Sequence, residues 1–275
     1  MQTLKGVRHL MTSATMKQTV SEFNMPVPWG EMRGKVWGPD RGRPILCLHG
    51  WADNCGTFNT LIPLLPKGGN VAGMFSALYP EMVESVVLLD SYGFIPTDSK
   101  ELHTVIRQGF EEMLQFEKKK DEMKEKVYTY ENALMRLLAA NPSLSKQSAH
   151  ILLERGLAQV EGGVVFTRDF RINLKNVVRV SLEQSLELQS RIQARVLVVL
   201  AEEGFEKMFS EPEQKTFTST LLQGYKDQSG MVVNVPGDHH VHLNTPETVA
   251  QIVTDFLQEE APSHSTAEDT QAAKL

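Results

Sequence analysis

The chain has only two cysteines in 275 residues, Cys47 and Cys55. One lies in an apolar run and the other in a polar loop, so no disulfide framework is built and a reducing compartment is expected. Long apolar runs are missing as well. The best of them, residues 196–201, is strand-sized, far short of the roughly 18 residues a membrane-spanning helix needs, and no membrane span is expected. Positive charge is also in deficit, with 28 Lys and Arg against 34 Asp and Glu and a formal net charge of −6. That excludes nucleic-acid binding resting on bulk positive charge. What is left is a globular composition, 41% hydrophobic and 23% charged, sufficient for one sizeable core.

Residues 1–21 carry Lys5, Arg8, His9 and Lys17 with many Ser and Thr and no acid before Glu22. Transit peptides share this composition, but a disordered leader is the expectation. Residues 25–38 read as an edge hairpin, in which Val27/Trp29 and Val36/Trp37 flank Gly30 and Gly34. Residues 44–49 (PILCLH) form a continuous apolar run ending in Gly50, the pattern of a buried parallel strand. Helices are expected over residues 57–65 and 70–79, the first stopped by Pro66 and the second by Pro80, and a second buried strand over 83–90 (VESVVLLD). The middle of the chain, about 98–193, is helix-forming and poor in strand signals, a helical lid whose Lys/Glu run from Glu111 to Lys126 is a solvated helix face. Strand, helix, strand and helix follow at 195–201, 213–225, 231–235 and 246–257, and residues 259–275 form a polar tail. The alternation predicts an α/β domain over 22–258, with a mostly parallel sheet covered by helices on both faces.

Two loops concentrate the chemistry. In His49-Gly50-Trp51-Ala52-Asp53-Asn54, Gly50 allows a sharp turn, so that the Trp51 amide can donate to a developing oxyanion at the strand's carboxyl end. Pro236-Gly237-Asp238-His239-His240-Val241-His242 lies between the last strand and the last helix and reaches the same sheet edge, where ligands of open α/β sheets bind. His49 and His242 read as structural. Asp238, His239, His240 and His242 could converge on a metal, yet no second cluster supplies the remaining ligands. Neither a metal nor another cofactor is expected.

These loops, with PVPWGEMRGKVWG, TLIPLLP, GGNVAGMFSALYPEMVESVVLLDS, RVLVVLA and VPGDHHVHLNTPETVAQIVTDFL, resemble the serine hydrolase-like proteins of the α/β-hydrolase fold over most of residues 22–258. The resemblance implies a small-molecule ester or similar acyl substrate, hydrolysed through a serine, histidine and acid triad. It implies that His239 is the catalytic base and that the Trp51 backbone supplies one oxyanion-hole amide. The orienting acid is Asp90 at the end of its strand, or alternatively Glu202 or Glu203 after the next one. The family's acid position falls near Gly204, which carries no carboxylate, and this favours Asp90.

The nucleophile is absent. A hydrolase of this fold carries its serine on a strained strand-to-helix elbow, G-x-S-x-G, which only small flanking residues tolerate. No serine here has glycine at both −2 and +2; Ser91 has only Gly93, and Ser76 lies within an expected helix. The family pattern would run glycine, histidine, serine, methionine into Gly68-Gly69-Asn70-Val71-Ala72-Gly73, but that stretch follows directly on Leu64-Leu65-Pro66-Lys67. The chain thus reads as a shortened form, such as alternative splicing leaves, lacking two central strands, one helix and the nucleophile between Lys67 and Gly68. Four linking residues span at most about 14 Å, too little for an unstrained crossing between helices that each sit roughly 10 Å from opposite faces of a sheet. Cys55 is no replacement, since nothing places it on an elbow, and residues 67–73 lack the Gly-Lys-Ser/Thr ending of a phosphate loop. Little or no hydrolysis is expected; the alternatives are a non-catalytic binding or regulatory pseudoenzyme and a poorly folded splice product.

Ala273-Lys274-Leu275 resembles the small-basic-leucine signal that a peroxisomal import receptor reads, so the expected location is the peroxisome and otherwise the cytoplasm. Deleting residues 273–275 from an amino-terminally tagged chain is expected to move it from peroxisomal puncta into the cytosol; a location unchanged by the deletion would contradict the signal.

Overall fold

A computed structural model describes residues 19–28, 30–38, 44–50, 52–65, 73–119, 126–208 and 211–259. The described residues fall into two compact units, divided between residues 42 and 43. In the first, β1 (Val20–Val27) and β2 (Gly30–Trp37) pair antiparallel with Val27 opposite Gly30. Gly30 closes the turn at φ +145°, a backbone region that a Cβ penalises. The hairpin expected over 25–38 therefore exists, and its first strand starts at Val20, inside the stretch expected to be a leader.

The second unit runs α1 (Gly73–Leu78), β3 (Ser85–Leu89), α2 (Leu102–Lys119), α3 (Tyr130–Ala140), α4 (Lys146–Gly156), β4 (Leu157–Val160), β5 (Gly163–Phe166), α5 (Leu182–Ser190), β6 (Arg195–Glu203), α6 (Pro212–Asp227), β7 (Met231–Asp238), α7 (Val241–Asn244) and α8 (Glu247–Gln258). β3, β6 and β7 form a parallel sheet in the order β3-β6-β7. Successive side chains of a strand point to opposite faces, and both faces here are apolar. Val87, Leu197 and Val199 enter one core with Val249, Val253 and Phe256 of α8. Val86, Leu88, Val198 and Leu200 enter the other with Ala77 of α1 and Leu221 and Tyr225 of α6. This is the predicted α/β arrangement of a parallel sheet with helices on both faces. Within the middle segment, Leu134, Ala149, Leu152 and Leu153 of α3 and α4 build a third cluster together with Leu243 of α7.

Three expectations about local structure need correction. Residues 44–50 form no strand, and Leu46 and Leu48 are 56% and 50% exposed. A strand exists only where its backbone groups have a ladder partner, and among the described residues this segment has none. Cys47 nevertheless lines an apolar cleft with Phe58, Leu61, Leu65, Val87 and Val253, so the burial tendency of the run survives without the ladder. Residues 57–65 hold no α-helix but two short 3-10 turns, Cys55–Phe58 and Ile62–Leu64, because Pro63 removes an N–H and blocks the turn before it. The middle segment, expected to be poor in strands, contains the antiparallel pair β4/β5, which turns at Gly162 with φ +86°. Of the run from Glu111 to Lys126, residues 111–119 on α2 are exposed apart from the half-buried Glu112 and Phe116, Glu111 pairs with Arg107 at 2.8 Å, and residues 120–125 lie outside the described residues. The junction between Lys67 and Gly68 lies outside the described residues.

Candidate active site

Asp90 directly follows β3 and keeps one rung of the ladder, its N–H donating to Val199 O at 2.7 Å. Its φ is +45°, a conformation that aspartate tolerates better than most residues. The side chain turns inward and is 2% exposed. Oδ1 accepts the Ala201 N–H at 2.9 Å, and Oδ2 accepts the Phe205 N–H at 2.7 Å. Both donors come from the carboxyl end of β6 and the turn after it. The carboxylate thus lies over the end of the central strand, where only glycine leaves room: a Cβ on Gly204 would come within 2.6 Å of Asp90 Cγ.

His239 follows β7 on the far side of β6. Gly237 sends the chain round at φ +127°, and a Cβ there would stand 2.9 Å from Val241 Cγ2. The His239 Nδ1 lies 2.7 Å from Asp90 Oδ2. An ionised carboxylate only accepts, so Nδ1 carries the proton and the neutral ring keeps its lone pair on Nε2. Phe205 stacks on the imidazole at 5.4 Å between centroids and 29° between planes, holding its orientation. The His239 side chain is 41% exposed, and no described residue hydrogen-bonds its Nε2. The alternative acids are elsewhere: Glu202 and Glu203 are exposed, Glu203 pairs with Lys207 at 3.5 Å, and Glu202 lines a polar cleft with Glu206, Lys207 and Lys215.

The neighbouring histidines have other partners. The Asp238 carboxylate accepts the His240 N–H at 2.7 Å and the Asn244 amide at 2.9 Å. Asn244 also donates to Ser143 O at 2.8 Å and accepts the Ser145 N–H at 3.0 Å, while His240 Nδ1 meets Ser143 Oγ at 3.1 Å. The turn between α3 and α4 is thereby fastened to the histidine loop. Burial, followed by the nearness of His239, holds the His240 imidazole below its usual range. His242 packs against Phe58 and shares a 3.0 Å hydrogen bond between Nε2 and Thr57 Oγ1. Burial pushes its pKa down to about 4, and Nδ1 is left inside without a partner among the described residues. Burial likewise lifts the Asp53 carboxyl above its ordinary value, against the Asn54 N–H and the Thr57 hydroxyl that hydrogen-bond it. Among the described residues no three His, Cys, Asp or Glu side chains converge on a metal position. The three imidazoles are spent on Asp90, Ser143 and Thr57.

The structure therefore joins Asp90 to His239 and leaves Glu202 and Glu203 out. Trp51, Ala273, Lys274 and Leu275 lie outside the described residues. Thr57 and Ser143 were not foreseen: they lie 185 and 97 positions from the histidines they meet, and no local pattern marks them. Gly204 did carry a signal, the missing carboxylate, whose meaning is the space it leaves for Asp90.

No protein-family model matches the chain. Among curated proteins, it is 47% identical to a serine hydrolase-like protein of Danio rerio over 312 aligned positions, covering 94% of this chain and 95% of that one. It is 30% identical to serine hydrolase-like protein 2 of Homo sapiens, covering 87% and 94%. Since 94% of 275 residues is about 258, the 312 positions of the Danio rerio comparison include about 54 that only the relative fills. Among solved structures, a hypothetical protein of Pseudomonas aeruginosa PAO1 superposes with a TM-score of 0.71 at 21% identity over 86% of this chain and 99% of that one. The thioesterase domain from the curacin biosynthetic pathway superposes with a TM-score of 0.65 at 15% identity over the same shares.

Two outcomes follow from this geometry. Gly204→Ala is expected to push the Asp90 carboxylate off its two amides and lower the unfolding free energy by about 1–3 kcal/mol, the cost of overpacking and lost buried hydrogen bonds; urea denaturation checks it, and an unchanged midpoint would contradict the contact. For His242 the folded pKa of about 4 lies below the ordinary histidine value of 6.5, so below about pH 6.5 the unfolded chain binds a proton that the folded chain refuses. Its contribution is present above that pH and is lost as pH falls toward 4, by about 2 kcal/mol between pH 7 and 5. Comparing urea denaturation of the wild type and His242→Gln at the two pH values should show the smaller decline in the variant.

Proposed function

Because the chain belongs to the serine hydrolase-like proteins of the α/β-hydrolase fold, we propose that it is a member with an acyl-directed site that has kept its base and acid and lost its serine step. The observation that carries this reading is the Asp90–His239 pair at 2.7 Å, with Nε2 left without a described partner, in a sequence without G-x-S-x-G. In an intact triad the imidazole Nε2 takes the proton of the attacking serine, and the acid fixes the tautomer and stabilises the imidazolium. Here His239 holds the base position and Asp90 the acid position, and the Trp51 amide is assigned one place in the oxyanion hole. There is no elbow hydroxyl to deprotonate, so the acyl-serine step does not begin and unactivated carboxylic esters are turned over little or not at all. The chain is in this sense a pseudoenzyme toward serine chemistry.

The surplus of aligned positions in the Danio rerio relative supports a lost internal block. Two strands, a helix and their connections come to roughly 40–50 residues at usual element lengths. We also propose that an import receptor reads Ala273-Lys274-Leu275, which the tail deletion decides.

A serine-directed fluorophosphonate probe tests the main reading. The expected result is no labelling that depends on His239, together with no turnover of a simple alkyl ester. Strong serine labelling that disappears in His239→Ala would overturn it.

A further inference from the structure

We infer that His239 is itself an acyl acceptor, so that this chain hydrolyses activated esters through its imidazole in place of a serine. The inference rests on the reading that the serine step is lost, and it concerns what the remaining pair can do. Asp90 is 2% exposed and accepts two backbone N–H groups besides the His239 Nδ1 proton. The tautomer is thereby fixed with the lone pair on Nε2, which is the nucleophilic nitrogen of a neutral imidazole. The ring is stacked on Phe205, and its side chain is 41% exposed, so a small ester can reach it. In an intact triad the serine hydroxyl would occupy Nε2; no described residue occupies it here. A free imidazole in water must select this tautomer and orientation at each encounter, whereas His239 is held in both.

The step balances with water as the only co-reactant. Nε2 attacks the acyl carbon, the N–C bond forms, and the ester C–O bond breaks with the electron pair leaving on the alcohol oxygen. The resulting N-acyl imidazolium keeps its Nδ1 proton on the bond to Asp90, whose carboxylate faces the new positive charge. Water then adds to the acyl carbon and gives up a proton to the solvent, the N–C bond breaks with its electron pair returning to Nε2, and the neutral imidazole, a carboxylic acid and that one proton are the products. A weakly basic leaving group is required, because among the described residues no proton donor is bonded at His239 Nε2 and the departing oxygen leaves as the anion. Aryl esters such as 4-nitrophenyl acetate are therefore substrates and alkyl acetates are not.

The test measures 4-nitrophenolate release by the full-length chain, with His239→Gln, Cys55→Ser and free imidazole as comparisons. The expected rate is at least about tenfold above His239→Gln, a modest share of what a placed imidazole contributes. It should be unchanged in Cys55→Ser, and little altered in deuterium oxide, as attack by nitrogen requires and proton abstraction from water does not. His239→Gln exchanges a partly exposed ring, and its thermal unfolding is compared with wild type so that a folding defect is recognised; if that variant unfolds, trapping the acyl adduct in the wild type and mapping it to residue 239 decides the matter. A rate equal to that of His239→Gln, or an adduct mapped to another residue, would overturn the inference. A large deuterium effect on the first turnover, in which only the acylation step is read, would overturn it as well, by making His239 a base for water. The fluorophosphonate result separates the two readings: serine labelling sinks the loss of the serine step, whereas absence of both labelling and turnover sinks only the imidazole route.

Discussion

Everything in the site depends on one hydrogen bond that crosses the central strand. Asp90 follows β3 and His239 follows β7, and in the order β3-β6-β7 these strands flank β6. Their side chains meet over its end at 2.7 Å, on two conditions. The backbone after β6 must present N–H groups to the carboxylate, which Ala201 and Phe205 do. The residue just before Phe205 must have no side chain, and it is Gly204. A buried carboxylate without such donors would carry an uncompensated desolvation cost. The sheet thus holds Asp90 and His239 side by side at the carboxyl edge of three strands.

The surroundings separate three neighbouring histidines by environment. His239 is partly open and paired with a carboxylate, His240 is tied to Ser143, and His242 is buried against Phe58 and Thr57 with its pKa lowered to about 4. Only the first combines a fixed tautomer with access for a small molecule. The same loop fastens the turn between α3 and α4 through Asn244, so that the segment expected to be a lid shares its anchor with the base.

Much of this is legible in the sequence, for identifiable reasons. VESVVLLD and RVLVVLA announce strands because both faces of a parallel sheet are buried, and the histidine loop is placed at the sheet edge because it lies between the last strand and the last helix. Asp90 is favoured once Gly204 is seen to lack a carboxylate. What is not legible depends on partners. PILCLH has the composition of a buried strand, but a strand needs a ladder, and among the described residues no sheet includes this segment. Thr57 and Ser143 meet histidines far along the chain, where no periodicity reaches. The β4/β5 turn at Gly162 lies in a segment whose helical composition conceals it.

The central claim is that a complete acid–base pair persists without its serine. Proton NMR of the bridging Nδ1–H tests it most directly, because a proton held between an imidazole and a buried carboxylate resonates far downfield and exchanges slowly. Such a signal is expected at neutral pH in the wild type, coupled to a histidine nitrogen and lost in His239→Gln. A spectrum without it, or with a signal that survives the substitution, would contradict the pairing on which the account stands.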